Sequence, residues 1–268
     1  MLVCARMPEA LTFEKVLWGV SFFLNTGLLA LLVYGKKHRV LPFFVLYLLL
    51  NFLQAIVLFG AYQAWGFFSR EGIRIAWTTQ GLVSLARTAA VAEICYLVLA
   101  KFRGIWRLAW RLLTAVATLV ALNTMATSRG SWQFAILNLD RGLELLMATV
   151  IVLLFLFVRY YEVAVQPSIR MLATGFFLYS AFRVLDDSIL ERLWHTYGPL
   201  WNVLGTLTFL ATLLLWSWAL RQKQEQTTPE LPLLPKDHYR SLSPAINVRL
   251  KNLNERLGNF WDAQGEKT

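Results

Sequence analysis

Residues 16–62 read VLWGVSFFLNTGLLALLVYGKKHRVLPFFVLYLLLNFLQAIVLFGAY. Two apolar runs flank the short basic segment Gly35-Lys36-Lys37-His38-Arg39. Each run approaches the roughly 20 residues that a helix needs to cross about 30 Å of hydrocarbon. A helix satisfies its own backbone polar groups, which lipid cannot do, so such runs form helices in a bilayer. The basic segment follows the first run at once and no small-residue cleavage site intervenes. That is a stop-transfer pattern, so the first run is expected to remain as a helix and not to leave as a signal peptide.

Working outward, the same criterion gives seven runs in all: 16–34, 41–62, 75–100, 105–126, 137–158, 171–190 and 199–220. The expected fold is an all-α bundle of about seven transmembrane helices (residues 1–222) followed by a cytoplasmic tail (223–268). Composition agrees. The chain is 57% hydrophobic and 16% charged, with 11 Trp and 18 Phe among 268 residues, and its mean hydropathy is +0.51. A soluble domain carries about 25% charge. The surplus of apolar and aromatic residues suits a surface solvated by lipid.

The net charge of +10 does not point to nucleic acid. The basic residues sit in short loops between apolar runs, where topology rules place them, and form no basic face of a soluble fold. With the N-terminus outside, the inner side carries Lys36, Lys37 and Arg39, then Lys101, Arg103, Arg107 and Arg111, then Arg159, Arg170, Arg221 and Lys223. The outer side has fewer, and it holds nearly all the loop acids: Glu9, Glu14, Glu71, Asp140, Asp186, Asp187 and Glu191. The expected topology is therefore N-terminus outside and C-terminus inside a bacterial-type inner (plasma) membrane. Trp65, Trp77, Trp132, Trp194, Tyr197 and Trp201 would form the outer aromatic belt, and Trp106, Trp110, Tyr160, Tyr161, Trp216 and Trp218 the inner one.

Several chemistries lack their residues. His38, His195 and His238 all fall in loops or tail, so no axial haem pair or zinc site can be placed on spanning helices. A retinal Schiff base needs a mid-span lysine, and there is none. Asp186 and Asp187 are consecutive and point about 100° apart on one helix, unlike a facing aspartyl dyad. No phosphate-binding glycine loop or H-E-x-x-H occurs. Cys4 and Cys95 are expected to lie far apart, without a disulfide. Pro42, Pro167 and Pro199 sit at run ends and not at the midplane, which argues against the broken helices of many transporters. No enzyme activity, metal or cofactor is expected.

Ionisable groups inside spans are costly, and each is a functional candidate. Arg87 and Glu93 lie on the third run, six positions apart and on different faces. Glu144 lies in the fifth run. Arg183, Asp186 and Asn202 lie in the outer parts of the last two, and Asn25, Asn51 and Gln54 add amides. One reading has these groups pair between helices, at about 0.6 kcal/mol each and up to about 2. The other brings Arg87, Glu144, Arg183, Asp186 and Asn202 together around a polar cavity open to the outside.

The tail changes character. Pro229, Pro232 and Pro235 favour an extended polyproline spacer. Ser243 can then cap, and Pro244 can start, a short helix. Ile246, Leu250, Leu253, Leu257 and Phe260 make an apolar stripe on it, against polar Arg249, Lys251, Asn252, Glu255 and Arg256. Such a helix rests on the membrane surface, on the bundle or on a cytoplasmic protein partner. These features favour a non-enzymatic sensor or interaction protein, ahead of a permease or channel-like subunit with Arg87, Glu93 and Glu144 lining a polar path, and of a structural subunit in a membrane complex. Beyond the lipid bilayer, no ligand can be named.

Overall fold

The computed structural model describes residues 7–66, 69–100, 102–127, 132–163, 165–221, 248–249, 251–256 and 259. Side chains are described for all of these except 7–15, 127, 132–134 and 187–202. The described chain is all-helical, without strands: α1 Met7–Tyr34, α2 Pro42–Trp65, α3 Arg70–Leu99, α4 Arg103–Thr127, α5 Trp132–Tyr161 and α6 Pro167–Arg221, with a 3₁₀ turn at Lys37–Arg39. Local chemistry sets several ends. Pro42 and Pro167 open α2 and α6 at positions whose N–H would be orphaned anyway. Ser69 Oγ accepts the Gly72 N–H at 2.9 Å and caps α3. Gly66, at φ +81°, lets the chain leave α2 in a backbone conformation that a side chain would disfavour.

Six stretches within these helices are long and apolar enough to cross a membrane: Val16–Tyr34, Pro42–Trp65, Arg70–Leu99, Arg103–Ala126, Ala135–Tyr161 and Val203–Arg221. The expected span at 171–190 is not among them. It carries Arg183 and Asp186 and forms the first part of α6. The second part, through Leu220, holds the last expected span.

Those two parts of α6 lie against each other. Trp216 Nε1–H donates to the Leu172 carbonyl at 3.2 Å across 44 residues of sequence. A straight helix would hold these residues about 66 Å apart. Phe176 meets the Trp216 ring at 4.6 Å between centroids, and Tyr179 meets Phe209 at 5.6 Å. Phe182 faces Gly205. The partner number falls as the first number rises, which is antiparallel pairing. The helical backbone of α6 therefore doubles back, with arms 167–186 and 203–221. Gly175 makes the close approach: a Cβ there would clash with the Trp216 indole nitrogen.

Helix α3 is central. It packs on α2 and α5, and α5 and α1 each pack on α6. The core gathers Leu28 and Leu32 of α1, Phe44, Tyr47 and Leu48 of α2, Ile94 of α3 and Ile151 of α5 around Phe176 and Trp216. Helix α4 lies outside, mainly against α5. Phe23, Phe59, Leu119 and Leu156 are more than half exposed, as befits a surface in contact with acyl chains.

Two polar contacts tie one end of the bundle. Lys37 Nζ, in the α1–α2 connection, donates to the Leu220 carbonyl in the last turn of α6. A cation there also complements the negative end of the helix dipole. The Gly104 N–H, in the first turn of α4, donates to Asn254 Oδ1 at 2.9 Å, so the tail helix docks on the start of α4. Leu253 is 44% exposed, and Ile246, Leu250, Leu257 and Phe260 lie outside the described residues.

Candidate functional site

Three helices direct polar side chains to one place inside the bundle. Gln80, Ser84 and Arg87 follow one another on α3 at spacings of four and three, which keeps them on one face. Asp140 and Glu144 are four apart on α5. Tyr179, Arg183 and Asp186 repeat the four-and-three spacing on α6.

The cluster has two linked parts. In the first, the Arg87 guanidinium forms an ion pair with the Glu144 carboxylate, and both are essentially inaccessible to solvent. The guanidinium carbon also lies 4.7 Å from the centre of the Tyr179 ring and 5.6 Å from that of Tyr47, within cation–π range. In the second part Asp140 is the hub. It accepts from the Ser84 hydroxyl, from Gln80 Nε2 at 3.1 Å and from Arg183 Nη2 at 3.1 Å. Arg183 Nη1 turns the other way and donates to Asp186 Oδ2 at 3.3 Å. Gln54 of α2 extends the chain, donating to Gln80 Oε1 and Thr79 Oγ1 at 3.3 Å each. Four helices are thus cross-linked by one polar network. Arg183 is its least buried charge, with 22% of its side chain exposed.

With all groups ionised, the two guanidiniums of Arg87 and Arg183 face the three carboxylates of Asp140, Glu144 and Asp186. Among the described side chains, the cluster then carries one excess negative charge in a medium that solvates charge poorly. Arg183 bridges carboxylates on two different elements.

Arg87, Glu144, Arg183 and Asp186, expected to converge, are brought together here. The side chain of Asn202 lies outside those described. Glu93 is elsewhere and has a different task. Its carboxylate accepts the N–H groups of Phe43 at 3.1 Å and Phe44 at 2.9 Å. These are first-turn donors of α2, where Leu41 offers no side-chain cap. Glu93 thus caps α2 from across the bundle, and its charge suits the positive end of that helix. Replacing it with alanine orphans one buried donor, at about 1–3 kcal/mol, and one part-buried donor. Glu93→Ala is expected to lower the unfolding midpoint in mild detergent and to speed amide exchange at Phe43 and Phe44 selectively. Asn25 is likewise structural: its Nδ2 donates to the Leu48 carbonyl at 3.2 Å.

Sequence reasoning missed Asp140, Ser84, Gln80, Tyr179 and Tyr47. Asp140 stands among the outer loop acids in the sequence reading although it falls in the first turn of the run at 137–158. The available signal was its four-residue spacing from Glu144, which puts both acids on one face of α5.

Comparison of the chain with protein-family models, curated proteins and solved structures finds no match.

Proposed function

We propose that this chain is a non-enzymatic sensor or interaction protein of a bacterial-type inner membrane, crossing it seven times with the N-terminus outside and the tail in the cytoplasm. The Lys37–Leu220 hydrogen bond supports the odd number. It holds the α1–α2 connection, one crossing from the N-terminus, beside the end of α6. Six crossings would leave those two points on opposite faces of the bilayer. The antiparallel arms of α6 supply the additional passage. The basic bias of the loops on that face supports its being cytoplasmic.

The observation that carries the sensor reading is the docking of the tail on the transmembrane bundle through Asn254 and Gly104. Helix α4, which receives the tail, packs on α5, and α5 carries Asp140 and Glu144 on another face. A ligand or partner that competes for Arg183 at the outer end would loosen α5 from α6. Helix α5 would pass that change to α4 and the tail helix, which reports to a cytoplasmic protein. The test is co-purification of the tagged protein from its native membrane in mild detergent, with and without the chain beyond Arg221. A defined partner that is lost on truncation, and whose retention changes in Asp140→Asn, is expected. A partner set unaffected by either change would sink the reading.

One observation favours a second reading, a permease or channel-like subunit: the excess negative charge within the membrane suits passage of a cation or proton. It requires solute or proton flux in proteoliposomes that stops in Asp140→Asn. Glu93, bound to the first turn of α2, belongs to no such path.

A further inference from the structure

The tail helix is fixed at one depth in the molecule. Asn254 Oδ1 accepts the Gly104 N–H at 2.9 Å, a first-turn donor of α4 that no intrahelical carbonyl can reach. Helix α4 enters its apolar stretch at Arg103, so this bond sits where the span begins. Aromatic rings mark the same level. Trp106 meets Tyr96 at 5.2 Å and Trp110 at 5.7 Å between centroids. On α5, Tyr161 meets Phe157 and Tyr160 at 4.8 Å each, and Phe157 in turn meets Phe102 at 6.1 Å. Trp and Tyr gather at the boundary between hydrocarbon and water. A tail residue bonded within this belt lies at the depth of lipid headgroups.

The helix presents one face away from that bond. Among its described residues, 248–249 and 251–256, Asn254 alone is partly buried and the others are exposed. Arg249, Leu253 and Arg256 are spaced by four and three and share a face. Leu253 lies about 100° around the helix from Asn254, and is 44% exposed, so this face turns away from the described bundle. The acid among these residues, Glu255, lies 3.9 Å from Lys251 on another side of the helix. The Leu253 face is thus apolar and flanked by positive charge. Arg103, next to Gly104 and also exposed, adds a third cation at the same level.

Depth and charge together identify what meets this face. A helix lying in the interface buries its apolar side chains at the edge of the acyl chains and is held by attraction to anionic lipid. Leucine suits the first task. Arginines suit the second, because their long stems carry the guanidinium up to the headgroups and its planar fork matches phosphate oxygens. A cytoplasmic protein reaching the same face would have to displace the lipid beside α4. The Lys251–Glu255 side remains in water, open to such a partner.

We propose that the tail helix binds the anionic lipid surface beside α4, with Leu253 entering the bilayer and Arg249 and Arg256 meeting headgroup phosphates. The proposal does not depend on the sensor reading. Full-length protein with Cys4→Ser and Leu253→Cys would be labelled with a nitroxide, which keeps the position apolar. Cys95 is 2% exposed and does not compete for the label. The protein would be placed in nanodiscs of phosphatidylcholine, with or without phosphatidylglycerol, and probed with oxygen, which partitions into lipid, and with a water-soluble nickel chelate. With phosphatidylglycerol, oxygen is expected to reach position 253 and nickel is not. Phosphatidylcholine alone, or the double variant Arg249→Gln, Arg256→Gln in the mixed discs, should lower the ratio of docked to released helix about thirtyfold. Both arginines are exposed, so the variant leaves the bundle intact. A label placed instead through Lys251→Cys should stay open to nickel throughout. Nickel reaching position 253 in the phosphatidylglycerol discs would overturn the proposal. So would lipid contact that persists undiminished in phosphatidylcholine alone or in the double variant, since charge would then play no part. Shielding of position 253 from both reagents would place a protein surface there and overturn it as well.

Discussion

Glu144→Leu is expected to destabilise the protein by about 3–5 kcal/mol, because it leaves the Arg87 guanidinium buried without its counter-ion. Arg87 is 1% exposed and Glu144 0%, so neither water nor a lipid headgroup can take the lost partner's place. The rings of Tyr179 and Tyr47 beside the guanidinium offset only a part of that loss. The double variant Arg87→Met, Glu144→Leu should recover most of the stability, since a well-packed apolar pair often equals or exceeds a buried ion pair. Denaturant-induced unfolding in detergent micelles, followed by tryptophan fluorescence, reads both values. A double variant as unstable as the single one would mean that the two charges do not form a self-contained pair. A double variant that is stable yet no longer retains its cytoplasmic partner would assign the pair to signalling, not to cohesion.

The other large effect concerns the fold of α6. Trp216 is wholly buried, donates to Leu172 and packs edge-on against Phe44 at 5.2 Å as well as against Phe176. In lipid the hydrophobic effect does not drive helices together, so association rests on close packing and interhelical hydrogen bonds. Trp216→Ala removes both at the point where α1, α2 and the two arms of α6 meet. A loss of about 3–5 kcal/mol is expected, mostly from the cavity left behind. Trp216→Phe retains the ring and should lose about 1 kcal/mol, the worth of the hydrogen bond. The same unfolding measurement separates the two. An alanine variant as stable as wild type would show that the arms are held together elsewhere.

Much of this architecture was legible in the residues themselves. The apolar runs located the spanning stretches, because lipid imposes one length on every crossing. Pro42 and Pro167 marked two starts. Helix ends were read less well. Helix α3 begins at Arg70 and not near residue 75, because a backbone helix continues past the hydrocarbon boundary that apolarity detects. Arg87, Glu144, Arg183 and Asp186 were singled out because each charge is expensive in a span, and they do meet. Which of them pair depends on helix order and rotation, which the periodicity of one helix does not contain. That is why Asp140 was left with the loop acids and why Glu93, placed on a different face from Arg87, was given no partner. The role of Glu93 follows from unsatisfied N–H groups some fifty residues away at the start of α2. Among the described residues of the tail, Asn254, a polar residue outside the apolar stripe, makes a contact with the bundle.

The seven-crossing arrangement, on which the sidedness of both the charge cluster and the tail depends, is tested most directly by reporter fusions. An alkaline phosphatase that is active only outside the cytoplasm would be joined after residue 195, between the two arms of α6, and separately after Arg221. The account predicts high activity at the first junction and none at the second. The same activity at both junctions would contradict it. α6 would then pass the membrane an even number of times or not at all between those points, and the tail could not face the cytoplasm while the cluster opens outside.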